Sequence, residues 1–432
     1  MSSLLPVQIR FKPGIIFIGG FPPSIARLAE YNYEVLKIVA EKLIKYEIKI
    51  YILANRADIF ANKEIVLPNN IKVFYVWREN NILLIPLKLI QMRSKGNILI
   101  LSFYHGIFGS SAALNFLSTF FILVIAKILR YKIITILHTL PELRKETFTI
   151  FSKSFSYIYY LGLRITSILI FNISHRVILL VKTYRNIVCS AAPSLCPKIS
   201  YIPHGVPNYI HYNSKKLVRR DKITVAFIGL ISFRKNILAF IEALNRVREL
   251  LNSKIELILI GAPHPYLFYE MFSLIKQVTK SYMNVKYIGY LNTKELQEYV
   301  SRYVDVIVLP YKLPTGTSGI AYIAAPTATP IIMPSFIEYV ELYRDGYGLK
   351  LFNAYSRNIS VELTKAILEI LTNPIKYNEL SKKTLIYART HDVTITSLML
   401  LKEIITTLTQ KHHHSSVKEV ADNFTEKCKK AC

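Results

Sequence analysis

The chain has 432 residues, is 52% hydrophobic and carries 55 Lys/Arg against 28 Asp/Glu, a formal net charge of +27. That length and apolar content exclude low-complexity disorder and point to two domains, each able to bury its own core. The charge is uneven: residues 1–222 hold 30 Lys/Arg and 10 Asp/Glu, a balance of +20, while residues 223–432 hold 25 and 18, a balance of +7.

In chain order, Gly14–Gly20 is an apolar run ending in glycines and reads as a strand. Glu30–Lys45 follows with helical spacing through Leu36, Val39 and Leu43. Ile48–Ala54, Ile71–Trp77, Ile98–Phe103 and Tyr131–Leu137 read as strands, with a helix over Leu114–Leu129 before the last. Tyr157–Phe171 reads as a helix suited to a surface, and Arg176–Val181 and Ile199–Ile202 close the first half. Pro203–Asn208 is a turn and Tyr212–Lys222 a polar, basic link.

The pattern restarts at Ile223–Leu230. Helices over Ile237–Leu251, Tyr266–Val278 and Thr293–Tyr303 alternate with strands at Ile255–Ile260, Val285–Ile288 and Val304–Leu309. A Gly/Thr/Ser loop, a short apolar helix and a strand ending at Pro330–Met333 come next, then helices near Val361–Thr372, Asn378–Ala388 and Thr394–Leu408. From Lys411 the tail reads as a loosely attached amphipathic helix or a disordered end. The expected division is 1–210, 211–395 and a C-terminal helix and tail over 396–432.

Apolar runs of this length between helices form parallel sheets covered on both faces. Two such domains face each other across a cleft, and ligands bind outside the carboxyl ends of the strands. The run Leu114–Ala126 is short of the roughly 20 residues a membrane span needs, so it reads as a core or interfacial helix. The N-terminus lacks a basic segment followed by a long apolar one, so no secretory signal is expected. Between Glu146 and Asp221 stand ten basic residues and no acidic one. That field favours an anionic membrane surface, with a solvated basic face that has no fixed partner as the alternative; nucleic acid is not expected, because no zinc-finger, helix-turn-helix or RNA-binding signature occurs. The four cysteines form no Cys-x-x-Cys pair or zinc pattern. Cys189 and Cys196 are near enough to bridge but are expected to be free thiols in a cytosolic chain.

The residues able to carry chemistry follow strands. Small residues from Thr315 to Gly319, between a strand and a helix, turn backbone N–H groups toward one point and attract a phosphate. Arg234 and Lys235 at the start of a helix oppose the helix dipole unless an anion sits there. His138 ends a buried strand, where it can bond a substrate hydroxyl or donate a proton. His204 and His264 also follow strands and either touch a ligand or hold a turn. His412–His414 have no carboxylate or thiol frame for a catalytic metal. No Gly-x-Ser-x-Gly elbow, Walker loop or His-Glu-x-x-His is present, so hydrolase, kinase and metalloprotease readings lose their usual support.

An ordered set of segments resembles the retaining glycosyltransferase family four. The set includes Phe103-Tyr-His-Gly-Ile-Phe-Gly109, Thr135-Ile-Leu-His-Thr139, Ile202-Pro-His-Gly-Val-Pro207, Phe227–Asn236, Leu259–Pro265, Leu309-Pro-Tyr311, Thr317–Tyr322 and Glu341–Gly346. The resemblance implies an α/β chain of GT-B architecture, two Rossmann-like parallel-sheet domains facing across a cleft. It implies a hexose moved with retention from a nucleotide diphosphate sugar to a lipid-linked or cell-surface glycan. The reaction needs neither metal nor cofactor, and the protein is expected to be cytoplasmic and peripheral on the cytoplasmic face of the membrane. A catalytically inactive nucleotide-sugar binder is the alternative. The catalytic pair is His138 and Lys235. Donor binding falls to Gly229, Arg234, Lys235, His264, Tyr311, Thr317, Ser318, Gly319 and Glu341, and the acceptor side to Arg27, His105 and His204. The sequence departs from the family where Thr315 and Ile323 stand for two glutamates and Leu230 for an arginine.

Overall fold

The computed structural model describes residues 14–56, 65–78, 84–104, 106–108, 112–140, 153–210, 222–251, 254–264, 267–282, 284–313 and 316–409. His105, Thr315, His412–His414 and the tail from Lys411 lie outside them.

The N-terminal half runs β1 (Ile15–Ile18), α1 (Arg27–Leu43), β2 (Ile50–Asn55), β3 (Ile71–Trp77), α2 (Leu84–Gln91), β4 (Ile98–Phe103), α3 (Ala112–Ile128), β5 (Lys132–Leu137), α4 (Lys153–Ile173), β6 (Arg176–Leu179), α5 (Lys182–Ala191) and β7 (Ile199–Tyr201). The C-terminal half runs β8 (Lys222–Ile228), α6 (Ile237–Leu251), β9 (Lys254–Ile260), α7 (Phe268–Ser281), β10 (Val285–Gly289), α8 (Thr293–Tyr303), β11 (Val306–Val308), α9 (Gly319–Ala324), β12 (Ile331–Pro334), α10 (Ile337–Arg344), β13 (Leu349–Phe352), α11 (Ile359–Thr372), α12 (Pro374–Thr390) and α13 (Val393–Thr409). The sequence reading had no counterpart for α2, α5, α10 or β13.

Two sheets result, in the orders β3-β2-β1-β4-β5-β6-β7 and β10-β9-β8-β11-β12-β13. Every pairing between these strands is parallel. Strand alternation divides each core in two. Ile15 and Phe17 of β1 pack with Val35 and Leu36 of α1 and Leu400 and Ile404 of α13. Ile16 and Ile18 face the opposite layer, with Leu89 of α2, Ile122 and Leu123 of α3 and Ile170 of α4. In the second sheet Val225 and Phe227 meet α6, α7 and α11, while Ala226 and Ile228 meet α8, α9 and α12. Both faces being covered is what makes these strands continuously apolar.

The chain crosses between the halves twice. At the first crossing Val206 pairs in parallel with Asp392 at the second. The Val206 N–H donates to the His391 carbonyl at 2.8 Å, and the Val393 N–H donates to the Val206 carbonyl at 3.0 Å. A Cβ at Gly205 would stand 2.7 Å from the Val393 Cα, so the two segments meet only because this residue is glycine. α13 then packs on α1 in the N-terminal layer, and Lys132 Nζ donates to the Thr407 and Leu408 carbonyls at 2.7 and 2.9 Å. A cation at the carboxyl end of a helix is favoured by its dipole.

Cys189 and Cys196 are disulfide-bonded, correcting the expectation of free thiols. The 3-10 turn Pro193–Lys198 folds back after α5 and brings their Cα atoms to 4.9 Å. No described helix is long and apolar enough to cross a membrane.

Candidate donor site and domain interface

The C-terminal site is built where adjacent strands end. Gly229 after β8 has φ +131°, and Gly261 after β9 has φ +144°. A Cβ on Gly261 would fall 1.9 Å from the Gly229 carbonyl, so the close approach of the two loops requires glycine. Backbone bonds then tie the loops: the Ile231 N–H donates to the Ala262 carbonyl at 2.8 Å and the His264 N–H to the Ile231 carbonyl at 2.9 Å. The β8 loop tightens into a 3-10 turn over Phe233–Lys235, ended by Asn236 in the left-handed region.

That turn delivers Lys235. Its Nζ stands 3.5 Å over the centre of the Tyr311 ring, and the Tyr311 hydroxyl lies 3.2 Å from Ser318 Oγ. The Lys312 N–H donates to the Arg234 carbonyl at 3.0 Å, fastening the β8 loop to the loop after β11. Burial lowers the Lys235 ammonium to about 7, and neighbouring Arg234 adds to the shift. Burial, followed by Arg234 and Lys235, also lowers His264. Gly229, Arg234, Lys235, His264, Tyr311 and Ser318 are thus on connected loops, and Thr317 and Gly319 adjoin Ser318. Loops rich in positive charge concentrate potential on an incoming anion.

His138 follows β5 and is buried. Its Nε2 lies 2.9 Å from Ser102 Oγ, which donates to Asn32 Oδ1 at 3.2 Å; Asn32 Nδ2 donates to the Gly20 carbonyl at 2.8 Å. Burial, with His204 adding to it, drops His138 to about 3, so the imidazole is neutral at neutral pH. A Cβ on Gly316 (φ +81°) would stand 2.5 Å from the His138 carbonyl. The loop carrying Ser318 therefore lies directly on the His138 backbone, across the domain boundary.

Other residues expected at the ligand make contacts between the halves. Glu341, expected at the donor, accepts from the backbone N–H groups of Lys182 and Thr183 at 2.7 and 2.6 Å. It caps α5 from the opposite domain, because the first turn of a helix has unpaired donors and no side chain of α5 caps it locally. Beside it the Tyr184 hydroxyl donates to Glu338 at 2.5 Å. His204, expected on the acceptor side, is buried between two rings, Tyr31 of α1 at 3.9 Å and Tyr322 of α9 at 4.3 Å between centroids. Burial lowers it to about 4.

Arg27, also expected on the acceptor side, pairs with Glu30 at 2.7 Å, donates to the Leu291 carbonyl at 2.8 Å and stands over Tyr290. The sequence reading missed Glu30. It receives the Tyr290 hydroxyl at 2.7 Å and the Thr293 hydroxyl at 2.8 Å, joining α1 to the start of α8. Its only sequence signal was the i,i+3 pairing with Arg27. Gly319 faces the Arg27 stem, its Cβ position 3.6 Å from the Arg27 Cβ. The cavity left between Arg27, His204, Thr293 and Gly319 is about 10 Å³. That is room for one water, whereas ligand pockets run to about 300 Å³ or more. Along this edge the two halves are in direct contact.

The two facing parallel-sheet domains define the GT-B fold of glycosyltransferases. Similar solved structures include HepE of Anabaena in complex with UDP and glucose, at 15% identity and TM-score 0.63, covering 90% of this chain and 98% of that one. Sucrose-phosphate synthase from Thermosynechococcus elongatus aligns at 14% identity and TM-score 0.70, covering 92% and 99%. WaaG, a glycosyltransferase involved in lipopolysaccharide biosynthesis, aligns at 12% identity and TM-score 0.64, covering 90% and 99%. At such identities the likeness is one of fold. No curated protein matches the chain by sequence. Residues 212–385 match the family model described as Glycosyl transferases group 1. The likeness to this model covers the C-terminal half, and the whole chain shares the GT-B fold.

Proposed function

We propose that the protein moves a hexose from a nucleotide diphosphate sugar to a hydroxyl of a lipid-linked or cell-surface glycan, with retention at the anomeric carbon and without a metal. The carrying observation is the Lys235–Tyr311–Ser318 chain, which sets a desolvated ammonium beside a loop of small residues. As the glycosidic bond to the donor breaks, negative charge grows on the leaving diphosphate. Fixed cations and backbone amides in a dry site stabilise that charge without reorganising. His138, neutral and at the boundary with the Ser318 loop, is suited to hydrogen-bond a sugar hydroxyl rather than to pair with a charge. The similar HepE structure holding UDP and glucose supports a nucleotide diphosphate donor. Attachment to the cytoplasmic face of a membrane belongs to the same reading, through the basic first half.

Incubation with a panel of nucleotide sugars, with and without lipid-linked acceptor, tests it. Release of nucleoside diphosphate with one donor supports the reading; no release with any donor and acceptor removes it. Ile323, buried where the resembled family has a glutamate, favours one rival, a binder without turnover. Calorimetric binding of a donor with no product at any enzyme concentration would establish that rival.

A further inference from the structure

The outward surfaces of α2, α3 and α4 are apolar where an ordinary surface helix is charged. α3 packs between α2 and α4 over one face of the N-terminal sheet. Their inner residues fill the core, but Leu87 and Ile90 of α2, Leu117 and Phe120 of α3, and Ile165 and Ile168 of α4 are all exposed, Leu87 by 54% and Ile168 by 51%. Each pair is three residues apart, so every helix presents its own outward stripe. Apolar stripes on three neighbouring helices mark an interaction surface.

Charge identifies the partner. Arg93 after α2, Lys127 and Arg130 at the end of α3, and Arg164 on α4 are exposed beside these stripes. Between Glu79 and Asp221 the sequence has 18 Lys/Arg and only Glu142 and Glu146. A second copy of this face would set cation against cation. An anionic bilayer offers apolar depth and negative headgroups together. We propose that α2, α3 and α4 lie in the plane of an anionic membrane, their outward apolar side chains entering the boundary between headgroups and acyl chains while the flanking cations meet lipid phosphates. This deepens the membrane reading above, and it is read without any sugar transfer, so either can fail alone.

The experiment uses the full chain and vesicles of phosphatidylcholine alone or mixed with phosphatidylglycerol in equal parts. The native tryptophan, Trp77, is buried at 2% exposure, so Phe120→Trp adds a reporter on the proposed face. Its emission is expected to shift to the blue with mixed vesicles and not with neutral ones. The double variant Leu117→Ser/Phe120→Ser is expected to float about tenfold less with mixed vesicles than the parent, its unfolding midpoint unchanged. Absence of flotation with mixed vesicles overturns the proposal. So does flotation with no emission shift, which assigns attachment to another face. A blue shift that follows protein concentration without lipid also overturns it and assigns the face to a second copy. Should the double variant fail to fold, the Phe120→Trp measurement decides alone.

Discussion

The Lys235 ammonium stands 3.5 Å above the Tyr311 ring, and the Tyr311 hydroxyl reaches Ser318. One tyrosine thereby sets both the cation and the small-residue loop proposed to hold the donor diphosphate. Lys235→Ala is expected to lower kcat/KM by about 2–4 kcal/mol of transition-state stabilisation, as does loss of one oxyanion donor. Tyr311→Phe keeps the ring under the ammonium and loses only the Ser318 contact, an effect of about 1 kcal/mol. Steady-state kinetics with the active donor separates the two.

Donor binding should take up protons. With Lys235 near 7 in the free protein, a fraction of the population is neutral at neutral pH, and a diphosphate favours the charged form. Nucleoside diphosphate affinity should therefore weaken as pH rises through about 7. Calorimetry in buffers of different ionisation enthalpy should show net proton uptake near that pH, and Lys235→Ala should abolish it. Uptake persisting in the variant would assign the proton elsewhere.

Acid should weaken the domain interface. His138 falls to about 3 and His204 to about 4 in the folded protein, both below the ordinary value of 6.5. Between those values the unfolded chain binds more protons than the native one, so stability rises with pH. It is complete above about 6.5 and lost as pH falls toward 4 and 3, by at most about 1.4 kcal/mol per pH unit for each ring. Denaturant titrations across this range in the wild type and His204→Gln check it, the variant showing the shallower dependence.

Glu341→Ala should lower stability by about 1 kcal/mol, because the α5 amides lose a cap. Nucleotide affinity should change little. A large loss of affinity at unchanged stability would place Glu341 at the donor.

Much of the fold was legible because fully covered strands are unmistakable apolar runs, and Ile98–Phe103 and Ile255–Ile260 read as strands for that reason. β13 was not, being four residues between a glycine turn and an asparagine. α5 was not, because mixed polar residues follow its strand and its cap, Glu341, comes from 159 positions away. The strand-end loops that carry Lys235, His264 and Ser318 were legible from strand ends and small residues, while their part in holding a donor is the proposal made above. That Glu341, His204 and Arg27 also bridge the two halves was not legible, because sequence shows which residues end a strand or open a helix, but not which domain they will face. The sequence placed Cys189 and Cys196 near enough to bridge, but not the turn at Pro193–Lys198 that reverses the chain and closes the pair.

The paired crossings at Val206 and Asp392 have a mechanical consequence. Because the two connecting segments are hydrogen-bonded side by side, they act as one hinge rather than two independent tethers. A change of angle between the halves must therefore bend both segments together, and neither can lengthen without the other.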